Sequence, residues 1–189
     1  IDEEKVKTLS AEKDPSLRLS IDSCDIEFTD RWQGVQHIHL EGELDDYVLR
    51  RGDGMYAYNL AVVLDDIAMG ITEVIRGDDL LDTTGQQIYL YKTLQQCLHS
   101  KHIKVPSYGH APLLIDSEGH RLSKRQKSIT IRELRDNQWS ANRIVGELAI
   151  AGGLVQANTL KNREISISEL IEIDLNLPTL SQKMIEIKI

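Results

Sequence analysis

Between residues 56 and 128 the apolar stretches follow an alternating order that limits the folds open to this chain. Leu60-Ala61-Val62-Val63-Leu64 is continuously apolar, which predicts a segment buried all round without deciding strand from helix. Ile71 to Ile75 reads as a strand whose end presents Arg76, and Gly77 to Thr83 as a loop. Thr84-Gly85-Gln86-Gln87 has capping-box spacing, so a helix is expected from there to about Leu98. Leu113-Leu114-Ile115 is a short strand, and Asp116-Ser117-Glu118-Gly119 turns into a basic loop, Arg121-Leu122-Ser123-Lys124-Arg125. Strand, loop, helix and strand in that order predict an α/β layer, whose ligands lie outside the carboxyl ends of the strands. Arg76 and the loop at 116–125 both follow expected strands, so one crevice is expected to hold both.

The flanks have other textures. Residues 1–15 are polar and charged, a helix remnant or a linker. Leu17-Arg18-Leu19-Ser20-Ile21, Ile26-Glu27-Phe28-Thr29, Val35-Gln36-His37-Ile38-His39-Leu40 and Tyr47-Val48-Leu49-Arg50 predict small antiparallel strands separated by polar turns. Helical patterns occupy roughly 129–136, 140–151 and 166–173, with Gly152-Gly153 ending the second.

Length and charge exclude several classes. A chain of 189 residues, 41% apolar and 28% charged, holds one domain with a core, or one plus a small appendage. No run approaches the roughly 18 apolar residues a membrane span needs, so no membrane partner is expected. Two cysteines, Cys24 and Cys97, make no disulfide framework and fit a reducing cytoplasm. The net charge of -8 argues against indiscriminate nucleic-acid binding. Its distribution says more: eleven acids face three bases over residues 41–82, whereas six bases face one acid over 121–135. That inversion suits a phosphate ligand or an RNA backbone, or else marks a solvated helix face. The opening Ile1-Asp2-Glu3-Glu4, with no methionine, leads us to expect further sequence upstream.

A few residues carry chemistry. Arg76 offers a planar fork for a carboxylate, with an ion pair to Asp78 or Asp79 as the competing structural role. Tyr58 adds a phenol hydrogen bond, or else is a core tyrosine. The Ser123-Lys124 pair suits a polyphosphate. Asp65-Asp66 invites acid–base or metal work, but a structural role fits better. Cys97-x-His99-x-x-His102 has metal-like spacing and lacks a fourth ligand, so no metal site is expected here. His37 and His39 read as surface or packing residues.

Several linked segments carry a resemblance: Phe28-Thr29-Asp30-Arg31-x-Gln33-Gly34, Asp46-Tyr47-Val48-Leu49-Arg50-Arg51-x-Asp53-Gly54-x-Tyr56-Ala57-Tyr58, Leu60 to Asp66, Gly70-Ile71-Thr72 through Arg76-Gly77, and Leu80-Leu81-Asp82-Thr83-Thr84. Over about residues 16–135 the chain resembles the glutamyl branch of class I aminoacyl-tRNA synthetases, and within it the short glutamyl-Q tRNA(Asp) synthetases. Asp79-Leu80-Leu81-Asp82 favours the short branch, because ordinary glutamyl enzymes usually have a histidine after the acidic residue.

The resemblance implies an α/β fold: the second half of a Rossmann-like catalytic core, with a small mixed β insertion and C-terminal helices. Residues 1–55 would be the tail of an inserted subdomain, 56–128 the half-core with its KMSKS-type loop, and 129–189 a helical extension. It implies activation of glutamate with ATP and Mg²⁺, then transfer to the queuosine base of tRNA(Asp). Arg121, Leu122, Ser123, Lys124 and Arg125 would bind ATP, with Lys124 catalytic, and Tyr58 and Arg76 would bind glutamate. The family's HIGH-type motif and zinc segment match nothing in residues 1–189. They are expected in an N-terminal half, with Zn²⁺ if the segment is present there; this chain alone would be inactive. The competing expectations are part of an ordinary glutamyl-tRNA synthetase charging tRNA(Glu), or a non-catalytic RNA-binding paralogue.

Overall fold

The computed structural model describes residues 15–42, 47–115, 118, 120–122 and 130–173, and the backbone of 184–186. Four strands come first: β1 (Leu17–Leu19), β2 (Cys24–Asp30), β3 (Gly34–Leu40) and β4 (Tyr47–Arg50). Helix α1 (Tyr58–Met69), β5 (Glu73–Gly77), a 3-10 turn (Asp78–Leu80), α2 (Thr84–Cys97), β6 (Ser107–Ala111) and β7 (Leu113–Ile115) follow. Three short helices, α3 (Ile131–Asp136), α4 (Ala141–Ala151) and α5 (Ile167–Glu172), precede β8 (Met184–Glu186). β2, β3, β5 and β6 form one sheet in the order β3-β2-β6-β5. β1 pairs antiparallel with β4, and β7 pairs parallel with β8.

The chain divides into two compact units. One comprises Ile1–Thr29, Val35–Val74 and Leu80–Tyr108, the other Asp30–Gly34, Ile75–Asp79 and Gly109–Ile189.

In the first unit, Ile21, Ile26, Leu40, Val63, Ile88, Leu90, Tyr91 and Tyr108 are buried in one cluster. β2 alternates as the period-two pattern predicts, with Ile26 buried and Asp25 and Glu27 exposed. On the exposed face His37 meets Glu27 at 3.1 Å and His39 meets Asp25 at 2.7 Å, so both histidines are surface residues. The apolar run at 60–64 is helix, not strand, and it is not buried all round. Val63 is fully buried while Leu64 is 44% exposed. A run inside a helix spreads over every face: Leu60, Val62, Val63 and Ile67 turn to the core, while Ala61 and Leu64 are exposed. Gln87 donates to Asn59 Oδ1 at 2.9 Å, tying α2 to α1. The Tyr91 hydroxyl donates to Asp66 Oδ2 at 3.4 Å, a packing contact for one of the two adjacent aspartates.

The capping box expected at Thr84 does not form. Thr83, the N-cap, is in the right-handed helical region and its side chain caps nothing. Residues 81–83 turn between the 3-10 segment and α2, and the Thr83 and Thr84 hydroxyls both donate back to the Leu80 carbonyl, at 2.9 and 3.0 Å.

In the second unit, full capping boxes start α3 (Thr130 with Glu133) and α5 (Ser166 with Glu169). Arg163 donates to both carboxylate oxygens of Glu147, at 2.6 and 2.5 Å, and so ties the segment after α4 to the helix. Among the described residues no helix is long and apolar enough to cross a membrane.

Candidate active site

The chemically richest cluster of the second unit grows from a turn. Asp30 ends β2 and its Oδ1 accepts the backbone N–H of Trp32 (3.0 Å) and of Gln33 (2.9 Å), the local bonding that suits aspartate at a chain reversal. The same oxygen accepts the backbone N–H of His110 at 3.2 Å. Its other oxygen, Oδ2, lies 2.6 Å from His110 Nδ1. Gln33 Nε2 donates to the His110 carbonyl at 3.1 Å, so turn and strand hold each other through backbone and side chains.

Both the Asp30 and the His110 side chain are 0% exposed. Burial drives the Asp30 carboxyl pKa up. Hydrogen bonds from Gln33, His110 and Trp32 outweigh it and hold the group below the usual carboxylate range. A buried carboxylate is tolerated here because its lone pairs are filled.

Arg76, in β5, donates from Nε to His110 Nε2 at 2.9 Å. An arginine nitrogen can only donate, so His110 Nε2 must present its lone pair and Nδ1 must carry the proton. The chain Asp30–His110–Arg76 therefore has one self-consistent direction of donation, guanidinium to imidazole to carboxylate. Above it the backbone is packed close. A Cβ on Gly109 would come within 2.8 Å of the Trp32 ring and 2.9 Å of Ile75 Cδ1, so only glycine lets β6 pass there.

The segment after Arg76 receives the start of the basic loop. Arg121 pairs with Asp79 Oδ2 through Nη2 at 2.8 Å, and Leu122 N–H donates to the Leu114 carbonyl at 2.9 Å. The pair is partly exposed and contributes little to stability, but it sets where the loop begins. Of the two aspartates weighed as partners for Arg76, Asp79 pairs with Arg121 and Asp78 Oδ1 is buried without a hydrogen-bond partner among the described residues. Ser123, Lys124 and Arg125 lie outside the described residues. Tyr58 belongs to the first unit, where it begins α1 and is 58% exposed rather than a core tyrosine.

Sequence reasoning missed His110 and the strand that carries it. Ser107-Tyr108-Gly109-His110-Ala111 has neither an apolar run nor clean alternation, because the strand is defined by the neighbours that bury it. The one available signal was Asp30 in Asp30-Arg31-Trp32-Gln33-Gly34, a turn-forming aspartate followed by an aromatic residue and glycine. Among the described residues no group of three or more His, Cys, Asp or Glu side chains is placed to hold a metal ion.

Comparison with known proteins gives this geometry a context. The family described as tRNA synthetases class I (E and Q), catalytic domain, matches residues 1–185. A glutamyl-Q tRNA(Asp) synthetase of Symbiobacterium thermophilum is 43% identical over 143 residues, covering 76% of this chain and 42% of that protein. One from Burkholderia cenocepacia is 49% identical over 117 residues, 61% of this chain and 37% of that protein. The crystal structure of a glutamate-tRNA synthetase from Elizabethkingia anophelis superposes with a TM-score of 0.70 at 25% identity. The match covers 100% of this chain and 40% of that one. The chain spans about two fifths of the length of the curated relatives it matches.

Proposed function

The chain belongs to the catalytic-domain family of class I glutamyl- and glutaminyl-tRNA synthetases, and from that premise we propose that its protein joins glutamate to ATP as glutamyl-adenylate. Transfer of the glutamyl group to the queuosine base of tRNA(Asp), with AMP leaving as the acyl–phosphate bond breaks, completes the reaction. The observation that carries the reading is the Arg76 guanidinium, aimed through His110 within the unit where Asp79 receives Arg121 at the start of the basic loop. The relatives named glutamyl-Q tRNA(Asp) synthetase supply the choice of acceptor.

A carboxylate oxygen of glutamate attacks the α-phosphorus of ATP, the new P–O bond forms, and pyrophosphate leaves. The attacking carboxylate is already ionised, so no side chain has to remove a proton. Arg76 pairs with a carboxylate of glutamate through its planar fork. Lys124 steadies the charge that builds on the phosphate oxygens and on the departing pyrophosphate, while Ser123 and backbone amides shape the loop. Magnesium would arrive on the nucleotide's phosphates, and no step here depends on a protein-held metal.

The test is glutamate-dependent ATP–pyrophosphate exchange by the full-length protein, followed by glutamyl transfer to tRNA(Asp) with and without queuosine and to tRNA(Glu). Exchange with transfer only to queuosine-bearing tRNA(Asp) is expected. Lys124→Ala is expected to slow exchange on the order of 10²–10³-fold, the scale of one lost transition-state donor. Transfer to tRNA(Glu) alone would make the protein an ordinary glutamyl-tRNA synthetase, the function in the names of its structural neighbours. No exchange at all would favour an RNA-binding paralogue.

A further inference from the structure

We infer that Asp30 and His110 are positioning residues for glutamate recognition: the buried carboxylate selects the imidazole tautomer, and that tautomer orients the Arg76 guanidinium. The inference rests on the reading that Arg76 contacts glutamate, and it adds the parts that make that contact directional.

The geometry leaves little freedom. Asp30 Oδ1 is occupied by three backbone N–H groups, those of Trp32, Gln33 and His110. Its Oδ2 is therefore the oxygen turned to His110 Nδ1, at 2.6 Å. An ionised carboxylate only accepts, so Nδ1 donates and Nε2 is left as an acceptor. The Arg76 Nε–H at 2.9 Å matches that acceptor, and no other tautomer of a neutral ring does. Fixing Nε fixes the plane of the guanidinium, because its nitrogens are coplanar. A long side chain that must meet a planar carboxylate through two parallel bonds gains most from being aimed beforehand, since less rotamer freedom is lost on binding. With both side chains of the Asp30–His110 pair 0% exposed, water does not compete for the bonds that set the direction.

A merely structural Asp30–His110 pair would lower stability when broken but leave substrate affinity alone. The positioning role is separated from it by Asp30→Asn. The amide keeps the shape and can still accept the backbone N–H groups, but it places an N–H donor against Nδ1. The ring then switches tautomer and points an Nε2–H at the Arg76 Nε–H, donor against donor. The experiment measures KM for glutamate and for ATP in pyrophosphate exchange by the full-length protein, comparing wild type, Asp30→Asn and Arg76→Ala. The ring tautomer is read from ¹⁵N NMR of histidine-labelled protein. The expected result is a KM for glutamate raised roughly 10–100-fold by Asp30→Asn, the range for losing an orienting partner one shell out. KM for ATP should stay within about twofold, with His110 as the Nδ1–H tautomer in the wild type and not in the variant. If Arg76→Ala raises KM for glutamate and a folded Asp30→Asn does not, the positioning role is overturned and the function stands. If Arg76→Ala leaves KM for glutamate unchanged, the glutamate reading itself fails and takes this inference with it. An Nε2–H tautomer in the wild-type protein overturns the inference even if the variant does not fold.

Discussion

Asp30 shows how one buried charge is kept: its burial penalty is offset by donors from the turn on one side and from His110 on the other. Its folded pKa lies below the unfolded one, so its contribution is fully present above the ordinary carboxylate range. That contribution is lost as pH falls through the lowered folded value. Replacing it with asparagine turns the His110 ring to the tautomer whose Nε2–H faces the Arg76 Nε–H, a cost of about 1–3 kcal/mol near neutral pH. Urea unfolding of wild type and Asp30→Asn from pH 7 to pH 3 is therefore expected to show a stability gap that is steady down to about pH 5 and narrows below it. A gap independent of pH would mean that the folded carboxyl is not held ionised. Arg76 stood out in the sequence because arginine at a strand end suits an anion. Its hydrogen bond to a buried histidine 34 positions away was not legible, since nothing local couples the two.

Among the elements, legibility followed the strength of local signals. The three C-terminal helices fall where polar caps and apolar periodicity predict them, and Thr130, Ser140 and Ser166 each accept an N–H from the first turn. The 60–64 run and strand β6 went unresolved or unseen because burial from outside the segment, not its own pattern, decides them. Gly146 in α4 is a case where packing opposes propensity. A Cβ there would lie 2.0 Å from the Arg163 carbonyl oxygen and 2.9 Å from its carbon. Backbone cannot swing aside as a side-chain tip does, so the helix or the 161–163 turn must move. Alanine would add up to about 1 kcal/mol of helix propensity, while overpacking costs about 1–3 kcal/mol. Gly146→Ala is expected to lower the melting temperature measured by calorimetry; a raised one would show that the contact relaxes at no cost.

For the molecule as a whole, charge is arranged rather than merely summed. The net charge is -8 and the isoelectric point about 5.2, so self-repulsion keeps molecules apart at neutral pH and vanishes near the isoelectric point. Light scattering of the 189-residue chain at low salt is expected to peak between about pH 5 and 5.5 and to fall on moving to pH 7.5. A maximum near neutrality would point to association through exposed apolar residues such as Met69, 74% exposed, or Ile171, 74% exposed.

Read alone, the sequence carried the resemblance to the family through segments linked over about residues 16–135, and its local periodicity and short motifs determined the α/β class and the position of Arg76 on a strand leading into a turn. Tertiary structure alone decided that Asp30, His110 and Arg76 form a single directed chain and that Arg121 answers Asp79. Those contacts join segments distant along the backbone. A hydrogen bond's partner is chosen by where the folded chain places it, which no local pattern encodes.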